Sequence, residues 1–256
     1  MSSAAGAATR VVFIHGSGDS AAAWQRQIAF LGEERALALD LPGHGARAAD
    51  AGPREMSVRD YALDVRAQIQ AAGLRQPIVA GHSLGGAIAL QLALDWPEEF
   101  SGLILIGTGA RLRVLPALLE AARRDQAGTL QQIRGLARRT DEPARPLDAS
   151  PLDSPPAASV PPLAEGVFYR DLAACNAFDV MAEIGRIPLP ALVICGEEDA
   201  MTPPKYAEYL RTHLPRATLR MIPGAGHMVM RDQPEALNAA IGEWLASEAS
   251  AQRLAS

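Results

Sequence analysis

A serine hydroxyl attacks an acyl carbon only when a nearby base takes its proton and a third group holds that base in place. Three stretches of this chain carry those residue types. Gly81-His82-Ser83-Leu84-Gly85 sets a serine among small neighbours, Gly224-Ala225-Gly226-His227 ends a glycine-rich turn on an imidazole, and Gly196-Glu197-Glu198-Asp199 offers three carboxylates. The Gly-x-Ser-x-Gly pattern says little alone. With glycine and serine each near roughly 7% of residues, it arises by chance in about one chain of this length in ten.

Its surroundings give it meaning. The apolar run Ile78-Val79-Ala80 reads as a strand that ends on the motif, and a helical stretch begins near Leu84. A sharp strand-to-helix turn strains the serine backbone, so the flanking positions must be small. Gly81, Gly85 and Gly86 meet that need. The turn lifts the hydroxyl above the strand ends and aims the Leu84 amide, at a helix N-terminus, toward a forming oxyanion. The rival reading is a glycine-rich turn with an inert serine. His82 reads as a packed neighbour.

Of the five histidines, His213 and His227 follow Ser83, as the base of such a serine should. His213 lies in a helical stretch near Arg211 and reads as a surface residue, whereas His227 stands just beyond a strand. The acid must come from a loop between Ser83 and His227. Asp199 fits by its offset from the strand before it, while Glu197 and Glu198 read as solvated charges. The other loop at that edge, Gly107-Thr108-Gly109, has no carboxylate. In this role Asp199 stays ionised and fixes the imidazole tautomer. The second oxyanion donor should come from the first strand-to-helix loop, His15-Gly16-Ser17-Gly18. The Ser17 amide is favoured and Gly18 is the alternative, with His15 holding the loop by a hydrogen bond. Trp24 either packs its helix or lines the pocket with Gly18, and Met228 lines it beside His227. No metal and no organic cofactor is required.

The elements that must position these residues alternate. Strands read at 11–14, 36–40, 78–80, 103–106, 191–195 and 218–222, and helices at 21–31, 57–72, 84–96, 204–214 and 234–247. That rhythm predicts an α/β fold: a parallel sheet with helices on both faces. It pauses from about 111 to 183. There, helical stretches at 115–124 and 129–139 precede a Pro/Ser-rich loop at 141–162. The expected organisation is a core over 1–110, a helical cap insertion over 111–183, and the core resumed over 184–256. Leu112, Val114, Leu115, Leu118 and Leu119 read as a packing face more readily than as a pocket wall. From Arg111 to Asp148 eight arginines face five acids, which fits a solvated helix face or, less simply, an anionic substrate. Phe168, Tyr169 and Phe178 are candidate pocket aromatics.

Bulk properties narrow the partners. The 256 residues are 48% hydrophobic and 21% charged, enough for one large core. A net charge of -5 gives no electrostatic reason to expect nucleic acid. No apolar run approaches a membrane span, and the first ten residues lack the build of a secretory signal. Cys175 and Cys195 form no metal-ligand spacing, so reduced thiols and a cytoplasmic address are expected.

Taken in order, His15-Gly16-Ser17-Gly18, Asp40-Leu41-Pro42-Gly43-His44-Gly45, Gly81-His82-Ser83-Leu84-Gly85-Gly86, Gly196-Glu197-Glu198-Asp199 and Gly224-Ala225-Gly226-His227 resemble the α/β-hydrolase superfamily. The likeness spans 11–109 and about 187–245, and is strongest to small esterases, haloperoxidase-like enzymes and carbon–carbon bond hydrolases. It implies a triad of Ser83, Asp199 and His227. Epoxide hydrolases and haloalkane dehalogenases of that fold carry aspartate at the position of Ser83, which argues against both chemistries. Many members have two further strands ahead of the first loop. Only ten residues precede Val11, so six strands are expected rather than eight. The implied activity is hydrolysis of a small or medium carboxylic ester. Carbon–carbon hydrolysis or perhydrolysis on the same triad, and a ligand receptor derived from a hydrolase, are the alternatives.

Overall fold

Short apolar runs bounded by turn residues assemble into one sheet in the computed structural model, which describes residues 10–136 and 163–255. The strands are β1 (Val11–Ile14), β2 (Ala36–Leu39), β3 (Ile78–His82), β4 (Gly102–Ile106), β5 (Ala191–Gly196) and β6 (Ala217–Ile222). They lie in the order β2-β1-β3-β4-β5-β6, and every pairing is parallel. The expected parallel sheet of about six strands is the one the chain forms.

Parallel strands with helices on both sides are buried on both faces, which is why β1 is apolar without alternation. The period of two still sorts its side chains. Val12 and Ile14 join one core, with residues of helices α2 (Val58–Ala71), α3 (Leu84–Asp95) and α7 (Pro204–His213). Val11 and Phe13 join the other, with Trp24 and residues of α8 (Val229–Asp232) and α9 (Pro234–Ala255), and α1 (Gln25–Leu31) packs on that side. Helix α2 starts where expected, because Ser57 and Asp60 form a reciprocal capping box. The stretch read as one helix over 21–31 begins instead as a 3₁₀ turn, Ala21–Trp24, whose first amide donates to Asp40 Oδ1 at 2.7 Å. Helix α9 runs beyond 247 to Ala255, and α8 was not expected.

Between β4 and β5 the chain inserts α4 (Pro116–Arg124), α5 (Gln126–Leu136) and α6 (Val167–Ala177). Ala122, Ile133, Phe168 and Leu172 form a small core of their own, with Val114, Leu118, Leu119 and Tyr169 packed against it. Leu112 and Phe178 belong to the main core instead, and Leu115 is 73% exposed. The leucine stretch is therefore mostly a packing face. The helix read over 129–139 starts earlier, and its end from 137 onward lies outside the described residues, as does the loop read at 141–162. Helix α6 was not anticipated at all.

The strand order creates the place for a site. From β1 the chain turns to the α1 face and returns in β2 at the sheet edge, whereas from β3 it turns to the α3 face. The loops leaving neighbouring strands β1 and β3 thus diverge, which opens a crevice at their carboxyl ends.

Candidate active site

Ser83 stands at that crevice, between β3 and α3, with φ 52° and ψ −115°. This is a conformation that side chains with a Cβ rarely adopt. Surrounding bonds impose it. The Ser83 amide donates to the Ile106 carbonyl at 3.0 Å, and its carbonyl accepts from the Gly86 amide at 2.9 Å and from Thr108 Oγ1 at 2.8 Å. A Cβ on Gly81 would overlap the Gly85 carbonyl, and a Cβ on Gly85 would overlap that of Ile14. Both glycines are needed because backbones of β1, the turn and α3 come into direct contact.

Asp199 follows β5 and His227 follows β6, and the structure brings them together. His227 Nδ1 lies 2.9 Å from Asp199 Oδ2. The remaining acceptor sites of this carboxylate are filled locally. Oδ1 accepts from the Met201 and Thr202 amides at 2.9 and 2.8 Å, and Oδ2 from Thr202 Oγ1 at 2.7 Å. Burial alone would raise the Asp199 carboxyl. The hydrogen bond and charge of His227, with those from Thr202, outweigh it and hold Asp199 below the usual carboxylate range. Thr202 was missed by sequence reasoning. Its signal is a hydroxyl three residues after a carboxylate, the spacing of a local side-chain turn.

His82 does more than pack. Its Nε2 donates to the His227 carbonyl at 3.0 Å, and the two rings lie 4.6 Å apart. The residue before Ser83 thereby pins the backbone of the residue bonded to Asp199. Burial, with His227 next to it, pushes the His82 imidazole well below its ordinary value, so the ring stays neutral. The carboxylate-free loop is also close, since a Cβ on Gly107 would stand 3.4 Å from both Asp199 Oδ2 and His227 Nδ1. His213 is remote from this group, exposed on α7 and stacked on Tyr209.

The loop after β1 carries the two candidate oxyanion donors. Gly18 N donates to Asp171 Oδ2 at 3.2 Å, so that amide is engaged. Among the described residues, the amides of Ser17 and Leu84 meet no acceptor. His15 holds the loop as expected: Nδ1 donates to the Gly16 carbonyl at 2.8 Å, and Nε2 accepts from the Leu41 amide at 3.1 Å. Burial and neighbouring His44 hold His15 down at about 4, which keeps it neutral.

The three expected pocket residues fare differently. Gly18 faces Leu130 and Phe168 of the inserted helices, and a Cβ placed there would collide with Leu130 and crowd Phe168. Met228 is half-buried beside His227 and packs toward the α8–α9 core. Trp24 does not line the crevice. It is fully buried against Phe13 on the opposite face, with ring centroids 4.9 Å apart. Among the described residues, no three His, Cys, Asp or Glu side chains gather to hold a metal ion, and no helix is long and apolar enough to cross a membrane.

The chain is similar to known proteins. The sequence profile of the alpha/beta hydrolase family matches residues 11–240. A pimeloyl-(acyl-carrier protein) methyl ester esterase of Nitrosomonas europaea is 30% identical over 88% of this chain and 91% of its own. The 3-oxoadipate enol-lactonase 2 of Acinetobacter baylyi is 28% identical over 90% of this chain and 86% of its own. Among solved structures, a thermophilic esterase superposes with a TM-score of 0.72 at 33% identity, over 93% of this chain and 90% of that one.

Proposed function

Because the chain belongs to the α/β-hydrolase family, we propose that it hydrolyses a small or medium carboxylic ester through an acyl-enzyme on Ser83. The observation that carries this reading is the Asp199–His227 hydrogen bond of 2.9 Å, whose carboxylate is saturated and whose histidine is pinned by the neighbour of Ser83. Relatives named for a methyl ester and an enol-lactone support an acyl–oxygen bond as the target.

In this mechanism His227 accepts the Ser83 proton as the oxygen attacks the carbonyl carbon. Asp199 holds the Nδ1–H tautomer and stabilises the imidazolium that results. The Ser17 and Leu84 amides receive the oxyanion, where their fixed direction counts most. His227 then protonates the departing alcohol, and a water repeats the sequence to release the acid. Every step uses this chain, its substrate and one water. Helices α4, α5 and α6 act as a cap over the crevice, with Leu130 beside the oxyanion loop as a pocket wall. The protein works in the cytoplasm, which suits its two buried, unpaired thiols.

A fluorophosphonate probe should label Ser83 of the intact protein, and Ser83→Ala should lose both labelling and turnover of short-chain aryl esters. Full esterase activity in that variant would rule out this mechanism.

A further inference from the structure

Arg170 and Asp171 lie side by side in α6, and both are buried, at 3% and 0% exposure. Burying a charge is costly unless it is paired and fully hydrogen-bonded. Here each has several partners, and all of them belong to the core. Asp171 Oδ2 accepts from His44 Nε2 at 2.8 Å and from the Gly18 amide at 3.2 Å, and Oδ1 accepts from Tyr61 at 2.5 Å. Arg170 donates to the Tyr61 hydroxyl at 2.8 Å, to the Pro42 and Pro53 carbonyls at 2.5 and 3.0 Å, and to that of Ala51. Burial opposes charge on Asp171 and on His44. The attraction between them prevails, holding the carboxyl below and the imidazole above its ordinary value.

A second inserted helix reaches the same residue. Arg134 of α5 donates to the Gly18 carbonyl at 3.0 Å. The nearby carboxylate, Asp19, is engaged by Arg231 at 2.9 and 3.0 Å. Three successive peptides of the loop are thus held. The Gly16 carbonyl is bonded by His15 and by the Asp19 amide, the Gly18 amide by Asp171, and the Gly18 carbonyl by Arg134. The Ser17 N–H shares one planar peptide with the Gly16 carbonyl, and the Asp19 amide bonded to that carbonyl shares another with the Gly18 carbonyl that Arg134 holds. The Gly18 amide bonded to Asp171 lies in the peptide between, so both contacts bear on where the Ser17 N–H points.

Resting on the hydrolase reading above, we propose that Asp171 and Arg134 clamp Gly18 from the cap, so that the oxyanion hole is complete only while the cap is docked. The two are positioning residues, acting through the Ser17 amide. A displacement of about 1 Å at a reacting centre costs on the order of 100-fold in rate, and loss of a whole oxyanion donor costs about 100- to 1000-fold in kcat.

The test uses the full chain with a p-nitrophenyl ester and the matching thionoester, whose sulfur accepts hydrogen bonds weakly and so depends little on the hole. Arg134→Ala should lower ester kcat about 10-fold and Asp171→Asn about 10- to 100-fold, with KM changed less than about 3-fold. The ester-to-thionoester ratio should shrink by similar factors, and Arg134→Lys should restore most of the loss. Folded variants that keep kcat and this ratio within about two-fold of the native protein, or that change KM alone, overturn the clamp. If Asp171→Asn fails to fold, the Arg134 variants decide. Ser83→Ala separates the two readings: an inactive Ser83→Ala beside unchanged clamp variants removes only the clamp, whereas an active one removes the hydrolase mechanism and the clamp together.

Discussion

Ser83 holds φ 52° and ψ −115° although it has a Cβ, and among the described residues only Gln76 also has positive φ without being glycine. Such a conformation costs about 1–3 kcal/mol, which the surrounding bonds must outweigh. Removing the Cβ should return that energy. Ser83→Gly and Ser83→Ala both delete the hydroxyl, so both should be inactive, and they differ only in the Cβ. Glycine adds an unfolded-state entropy penalty of about 0.5–1 kcal/mol relative to alanine. The difference leaves Ser83→Gly more stable than Ser83→Ala by about 1 kcal/mol, or about 2–4 °C in Tm for a domain of this size. Thermal melts of the two proteins at one scan rate, backed by urea midpoints, measure it. If Ser83→Gly melts below Ser83→Ala by the ordinary glycine penalty, the turn stores no strain and the argument from its geometry fails.

Three further outcomes follow from the same bonds. Asp199→Asn keeps the shape but favours the wrong tautomer of His227, so kcat for an aryl ester should fall about 10⁴-fold, and steady-state kinetics will show it. His15 is held at about 4, so its contribution to stability is complete above the unfolded value of 6.5 and is lost as pH falls toward 4. His15→Gln should therefore lose up to about 3 kcal/mol less than the native protein between pH 7 and pH 4; equal losses in urea melts at the two pH values would contradict this. Burial pushes the Cys175 and Cys195 thiols up to about 12, so iodoacetamide at neutral pH should modify neither until the chain unfolds, as peptide mass spectrometry can report.

The parts of this molecule that show in its sequence are those built by apolar burial and by chain order. Val11-Val12-Phe13-Ile14 could hardly be anything but a strand covered on both faces, and β3, β4 and β5 share that character. Ser83, Asp199 and His227 each follow one of these parallel strands, so their arrival at a common edge follows from topology. Trp24 was ambiguous because an indole near a loop can face either side of the sheet, and the α1 face captured it. Helix α6 escaped notice because Arg170 and Asp171 interrupt its apolar period, a pattern that normally marks a solvated surface. The engagement of the Gly18 amide was unreadable for the same reason, since its partner Asp171 lies 153 residues away. Of the two readings of the arginine excess, a solvated face and an anionic substrate, the first describes only part of it. Arg123 and Arg124 fit that, paired with Glu120 in solvent, but Arg134 is turned inward to Gly18.

That inward turn bears on why charges, rather than leucines, join the inserted helices to the loop. Apolar contact is non-directional: two greasy surfaces slide past one another at little cost until packing is lost. An amide bonded to a carboxylate has a preferred line and length, and departing from it leaves a buried charge unsatisfied. Ser83, Asp199 and His227 follow strands β3, β5 and β6 of the sheet. The loop after β1 is held at His15 by Leu41, at Asp19 by Arg231 and at Gly18 by the inserted helices, and at Gly18 there is no side chain to pack. Leu130 and Phe168 press on Gly18 and limit its distance from the cap, but they cannot set its rotation. Bonds to its amide and its carbonyl can, and the two groups supplying them come from different helices, α6 and α5. Substitutions at Leu130 should therefore alter the preference among ester chain lengths, read as kcat/KM, while leaving the bonds to Gly18 in place, provided α5 and α6 keep their spacing.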